Sequence, residues 1–270
     1  MVPVVREGRR VTDQDFDAIA KDFEGDVYGS SKGRVRLAVL WEDLRSAIPE
    51  LKDGGLSVLD AGGGAGRVAV LLAQAGNRVL LADPSREMLA RAERAVVESR
   101  PPAVGSVTTV RAALQDLGEE LADERFDVVC CHAVLEWLAD PQGALGHLAG
   151  FLGPQGRLSL MFYNRDAALL KRALGGDLAP ALGQDVPHGR GWGEGATPLA
   201  EGAVREWLGG VGLGVRSKAG VRILHDHVPE DLRRPERIGE LLEAEKWLRD
   251  REPFSSLGQH THLVCERSGA

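Results

Sequence analysis

Short apolar runs alternate with longer amphipathic segments over the first part of the chain. Val58-Leu59 leads into a glycine cluster at residues 62–66, and residues 67–75 then carry apolar side chains at helical spacing. Arg78-Val79-Leu80-Leu81-Ala82 forms a second apolar run, followed by a helical pattern over residues 84–99 with Met88, Leu89 and Ala92 on one face. The rhythm continues with a short strand at residues 107–110 and an apolar strand at residues 126–131. A helix at residues 141–152 is stopped by Gly153-Pro154, and a fifth strand spans residues 156–163. Before the first strand, residues 12–50 read as helical, in one segment opening at Asp13 and a longer one at residues 33–48 that ends before Pro49. Strands alternating with helices predict a parallel sheet covered on both faces.

Past Asn164 the pattern loosens. Residues 175–195 hold seven glycines and few large apolar side chains, which predicts a functional loop. A helix near residues 201–209 and a strand near residues 211–218 follow. An extended stretch at residues 221–227, a charged helix at residues 235–250 and a final strand at residues 260–266 complete the chain. The expected fold is therefore α/β and Rossmann-like: a mainly parallel seven-stranded sheet, helices on both faces and an antiparallel C-terminal pair. Residues 1–50 are expected to cap the ligand site, residues 51–165 to form the binding core, and residues 166–270 to complete the same domain.

The chemistry concentrates at the glycine cluster, Asp60-Ala61-Gly62-Gly63-Gly64-Ala65-Gly66. Glycine lacks a Cβ, so the backbone can turn sharply and a ligand can lie directly against it. The second strand ends in Asp83, placed to accept hydrogen bonds from both ribose hydroxyls of an adenosine ligand. A dinucleotide fingerprint G-x-G-x-x-G would need glycine where Arg67 stands. The spacing D-x-G-x-G-x-G instead resembles motif I of the class I methyltransferases, in which the acid lies near the amino end of the methionine moiety. It points to S-adenosyl-L-methionine.

Composition fits a cytoplasmic enzyme with a sizeable core, at 43% hydrophobic and 27% charged residues. No apolar run approaches the ~20 residues of a membrane span, and the N-terminus lacks the apolar region of a signal peptide. Cys130, Cys131 and Cys265 supply neither a disulfide framework nor a C-x-x-C pair. The net charge of −7 argues against broad, nonspecific nucleic-acid binding but leaves room for a local basic patch. His225-x-His227 and His260-x-His262 would each share a face on a strand, but no accompanying ligand spacing suggests zinc, and no metal is expected.

Further stretches extend the resemblance beyond the cofactor motif. Tyr28-Gly29-Ser30-Ser31-Lys32-Gly33, Arg36, Trp41, His132-Ala133-Val134-Leu135-Glu136-Trp137, Leu158 through Asn164 and Gly220-Val221-Arg222-Ile223-Leu224-His225-Asp226 are similar to the bacterial tRNA 5-carboxymethoxyuridine methyltransferases. The similarity runs from about residue 16 to residue 262. It implies transfer of a methyl group from S-adenosylmethionine to the carboxylate of 5-carboxymethoxyuridine at the tRNA wobble position, giving a methyl ester, with the anticodon region of tRNA as partner. Carried over residue by residue, it places cofactor contacts on Arg36, Gly62, Gly63, Asp83, Leu114, Gln115 and His132, with Asp60 leading the glycine motif. Tyr28, Lys32, Arg222 and His225 are the candidates for holding the acceptor carboxylate.

One departure bears on the acceptor. The family carries a run of lysines near residues 186–192, where this chain has Val186-Pro187-His188-Gly189-Arg190-Gly191-Trp192 with a single arginine. Fewer cations mean weaker, less salt-sensitive contact with a phosphate backbone, although Trp192 is suited to stacking on an unstacked base. A small-molecule carboxyl or hydroxyl methyltransferase, or a non-catalytic S-adenosylmethionine-binding partner subunit, therefore stand as alternatives on sequence alone.

Overall fold

The computed structural model describes residues 30–99, 105–183 and 196–269. Tyr28, the helical segment expected at Asp13 and residues 184–195 of the glycine-rich loop expected at 175–195, Trp192 included, lie outside them. Within them, seven strands form one sheet: β1 (Ser57–Ala61), β2 (Arg78–Ala82), β3 (Ser106–Val110), β4 (Phe126–His132), β5 (Leu152–Tyr163), β6 (Leu213–Val221) and β7 (His260–Arg267). The order across the sheet is β3-β2-β1-β4-β5-β7-β6. β1 to β5 run parallel, and β7 lies antiparallel between β5 and β6. The expected α/β architecture is the one found, and the strands formed by residues 213–267 join the same sheet as the core.

Eight helices surround it: α1 (Ser31–Ala47), α2 (Arg67–Gln74), α3 (Arg86–Ser99), α4 (Leu117–Leu121), α5 (Pro141–Gly150), α6 (Arg165–Leu174), α7 (Glu201–Gly210) and α8 (Ile238–Leu248) among the described residues. Their starts are locally encoded. Ser30 Oγ accepts the Gly33 N–H at the head of α1, Asp140 accepts that of Gly143 at the head of α5, and Asn164 accepts that of Asp166 at the head of α6. Apolar clusters fill both faces of the sheet, one around Leu145, Leu148, Phe162 and Leu208, the other around Leu44, Leu72, Leu81 and Cys130. A third, with Val35, Val39, Met161, Val221, Ile238 and Leu241, packs α1 and α8 over the end of the sheet.

Several boundaries differ from the sequence pattern. β5 starts at Leu152, and Gly153-Pro154 lies inside it rather than ahead of it. The register with β4 jumps from Phe126↔Leu152 to Val128↔Arg157, so the pair occupies a bulge where a proline costs no ladder hydrogen bond. The charged helix is trimmed to Ile238–Leu248. The largest correction is at residues 221–227, which are not extended beyond Val221. Glu245 accepts the consecutive backbone N–H groups of Ile223, Leu224 and His225 at 2.7, 3.0 and 2.9 Å, and this gathers the chain into a turn. His225 and His227 therefore share no strand face, and they do not meet the β7 histidines in a ligand shell. Among the described residues no group of three or more His, Cys, Asp or Glu side chains is arranged to hold a metal ion.

Candidate active site

A cavity of about 220 Å³ opens at the carboxyl ends of β1, β2 and β4, beneath α1. Arg36, Asp60, Gly62, Gly63, Asp83, Leu114, Gln115 and His132, the cofactor candidates read from the sequence, all line it. Leu37, Leu40, Met88, Val134, Trp137 and Met161 supply much of its apolar wall.

The glycine turn is shaped by what it must avoid. Gly62, Gly64 and Gly66 all have positive φ (72°, 53° and 72°), a region that L side chains seldom enter. A Cβ on Gly62 would lie 2.5 Å from Val134 Cγ2, and one on Gly63 would lie 2.7 Å from Asp60 Oδ2. Asp83 Oδ2 accepts the Gly64 N–H, and Asp83 Oδ1 accepts the Ser85 N–H, both at 2.9 Å. Its carboxylate is thereby fixed at the tip of β2, on the cavity wall.

Two residues that line the cavity each carry a buried polar atom with no hydrogen-bond partner among the described residues: Asp60 Oδ2 and His132 Nδ1. Burial, reinforced by the charge of Asp83, pushes the Asp60 carboxyl up to about 7. Burial and the charge of Arg36 hold His132 well below its ordinary pKa, so it is neutral. An amino acid moiety fits these residues. Its ammonium would satisfy the orphaned acceptors, while the guanidinium of Arg36 matches its carboxylate. The nucleoside end is matched by Asp83 and by the apolar face of buried Leu114.

The acceptor candidates are divided. Lys32 is exposed in the first turn of α1. Arg222 follows β6 with φ 62°, a conformation uncommon for a residue with a Cβ, and its Nη2 donates to Asp226 Oδ2 at 2.6 Å. Lys171 donates to the same oxygen at 2.8 Å. Burial opposes ionisation of Asp226, but the hydrogen bond from His225 and the charges of Arg222 and Lys171 outweigh it and hold the carboxyl well below its usual range. His225 is buried with both ring nitrogens engaged, Nε2 with Ser31 Oγ and Nδ1 with Asp226 Oδ1, each at 2.9 Å. It braces α1 and Asp226 and has no ring nitrogen left for a substrate.

The sequence pattern did not single out several groups near this site. Glu136 is buried with Oε2 unpartnered among the described residues, and burial pushes its carboxyl up to about 7 against the opposing charge of Arg36. Tyr163 and His260 sit ring to ring at 5.7 Å. His260 feels the charges of both Arg36 and Arg222, which links the cofactor cavity to the Arg222 cluster. Asp43, Ser159 and His262 connect to His132 from behind. Glu136, Ser159 and Tyr163 lay within stretches of family resemblance and His260 and His262 showed a period-two spacing, but neither signal gave them a role.

Comparison with known proteins gives the site its context. Residues 59–160 match the methyltransferase domain family. Over 255 residues the chain is 34% identical to the tRNA 5-carboxymethoxyuridine methyltransferase of Escherichia coli (strain K12), spanning 94% of this chain and 97% of that protein. It is 30% identical to a ubiquinone biosynthesis O-methyltransferase of Xanthomonas axonopodis pv. citri (strain 306) over 63% of this chain and 68% of that one. Among solved structures, magnesium protoporphyrin IX methyltransferase from Synechocystis PCC 6803 with bound S-adenosylhomocysteine superposes with a TM-score of 0.63. It shares 20% identity, over 94% of this chain and 96% of that one. The glycine turn, Asp83 and near-full-length identity agree: this chain is an S-adenosylmethionine-dependent methyltransferase of the class I fold and belongs to the tRNA 5-carboxymethoxyuridine methyltransferase family.

Proposed function

We propose that this methyltransferase esterifies the carboxylate of 5-carboxymethoxyuridine at the wobble position of tRNA, engaging the anticodon region. The observation that carries this reading is the 34% identity across 97% of the E. coli protein of that name, which extends past the cofactor fold through the Arg222 segment. The second support is electrostatic. Arg222 and Lys171 form a cationic cluster, joined through His260 and Arg36 to the cofactor cavity, and so suit an anionic acceptor.

When bound, S-adenosylmethionine supplies an electrophilic methyl group on a sulfonium. The acceptor carboxylate is already ionised at neutral pH, so no residue has to remove a proton. The task of the chain is alignment and exclusion of water. Arg36, Asp60 and Asp83 fix the cofactor against the glycine turn, and the apolar wall of Leu37, Leu40, Val134 and Met161 keeps the cavity dry. Arg222 holds the acceptor by charge, while Asp226 shares that charge and limits how far the carboxylate is stabilised. Well-aligned reactants can gain on the order of 7 kcal/mol from such positioning.

Mass spectrometry of wobble nucleosides tests the proposal. Purified protein and S-adenosylmethionine, incubated with tRNA carrying 5-carboxymethoxyuridine, should convert it to the methyl ester, with or without chelator. A strain lacking the gene should accumulate the free acid. Methylation of a small carboxylic acid with no product on that tRNA would replace this reading with a small-molecule one.

A further inference from the structure

His132 sits at the head of an unbroken line of hydrogen bonds that crosses the molecule behind the cofactor cavity. Its Nε2 lies 2.7 Å from Ser159 Oγ on β5, Ser159 Oγ lies 2.8 Å from His262 Nε2 on β7, and His262 Nδ1 lies 2.6 Å from Asp43 Oδ2 on α1. Ser159 and His262 are fully buried, and Asp43 nearly so. Arg249, just beyond α8, reaches Asp43 Oδ1 at 3.6 Å and closes the line with a cation. At the other end, His132 Nδ1 is buried without a partner among the described residues, on a residue that lines the cavity.

The direction of each proton in this line follows from its anchor. Asp43 accepts, so His262 carries a proton on Nδ1. Taken in its neutral form beside the Asp43–Arg249 pair, His262 accepts the Ser159 hydroxyl at Nε2. Ser159 Oγ, having donated its proton, accepts from His132 Nε2–H. That leaves His132 Nδ1 as a bare lone pair. Burial and the nearby cation Arg36 favour the same neutral form of His132.

We propose that Asp43, His262 and Ser159 are positioning residues that lock His132 in its Nε2–H tautomer, so that Nδ1 is presented to the cofactor as a hydrogen-bond acceptor. The group it would accept from is the α-ammonium of the methionine moiety, because Arg36 beside His132 matches the neighbouring carboxylate. The opposite tautomer would turn an N–H toward an ammonium and repel it. The arrangement concerns the cofactor alone and is independent of which acceptor is methylated.

Nitrogen-15 NMR of histidine-labelled protein, without ligand and with S-adenosylhomocysteine, reads the tautomers directly. The expected spectrum shows His132 as Nε2–H and His262 as Nδ1–H before any ligand is added. Ser159→Ala should give His132 a mixture of tautomers and weaken S-adenosylhomocysteine binding about tenfold by calorimetry, the loss expected for one misdirected charged hydrogen bond. Ser159→Thr, which keeps the hydroxyl, should restore the Nε2–H signal. A His132 that is Nδ1–H or doubly protonated in the wild-type protein overturns the proposal, and so does Ser159→Ala with tautomer and affinity unchanged. If Ser159→Ala does not fold, the wild-type spectrum decides alone.

Discussion

Asp83 and Gly64 are joined across the glycine turn: the Gly64 N–H donates to Asp83 Oδ2 at 2.9 Å, tying the loop after β1 to the tip of β2. The carboxylate proposed to recognise the nucleoside is thus oriented by the backbone of the glycine turn. Replacing it should disturb ligand and loop together. Asp83→Ala is expected to weaken S-adenosylhomocysteine binding by about 1.5–3 kcal/mol, the range for hydrogen bonds to a charged group. Calorimetry on a variant whose thermal unfolding remains cooperative checks this, and unchanged affinity would refute the assignment of Asp83.

Gly63 is confined by Asp60 Oδ2 and Leu81 Cγ, at 2.7 and 2.8 Å from where a Cβ would stand. Neither neighbour is the free end of a flexible chain. Gly63→Ala is therefore expected to destabilise the fold by roughly 1–3 kcal/mol through overpacking and to abolish measurable cofactor binding. Denaturant unfolding with and without S-adenosylhomocysteine separates the two effects, since only the wild-type protein should gain stability from ligand.

Asp60 introduces a pH dependence whose sign is fixed by burial. Its carboxyl is raised from 3.8 to about 7, so between those values the folded protein binds a proton that the unfolded chain has released. The contribution of Asp60 to stability is full below the lower value and is lost as pH rises through the upper one. Glu136, raised from 4.5 to about 7, acts in the same sense. Ligand-free Asp60→Asn protein should lose less stability than wild type between about pH 5 and 8. Parallel stability curves for the two proteins would show that Asp60 is ionised throughout.

Arg222 shares Asp226 with Lys171 and His225, so removing its guanidinium leaves that carboxylate partnered. Arg222→Ala should therefore fold. If Arg222 holds the acceptor, kcat on tRNA should fall by about 100-fold while S-adenosylhomocysteine affinity changes by less than about twofold. Equal losses in both would make Arg222 a structural residue.

The cofactor half of the site was legible in the sequence because its determinants are local. Strand, glycine turn and helix follow one another within residues 57–74, and Asp83 ends the next strand. The acceptor half was less legible because it is assembled by distant contacts. Arg222 was expected on an extended stretch and instead begins a turn, since Glu245 on α8 draws in the three N–H groups that follow it. A periodicity argument cannot see a carboxylate arriving from a later helix. His225 carried the polarity of a catalytic group, yet Ser31 and Asp226 take up both its nitrogens. Gly153-Pro154 marks a bulge and not a strand boundary, because a break in local pattern does not reveal whether the chain ends there or only skips a register.

The placement of β7 has a temporal side. β6 precedes it in the chain, yet β6 pairs in the sheet through β7 alone, and β7 must first seat itself on β5. The hydrogen bond from His262 on β7 to Asp43 on α1 closes a separation of 219 residues, among the slowest kinds of contact for a folding chain to find. Strands β1, β2 and β3 can assemble from neighbours in sequence, whereas Arg222 waits for the last pairing. A folding chain should therefore complete the glycine turn and gain competence toward its acceptor at different moments, and partial unfolding should remove them in the reverse order.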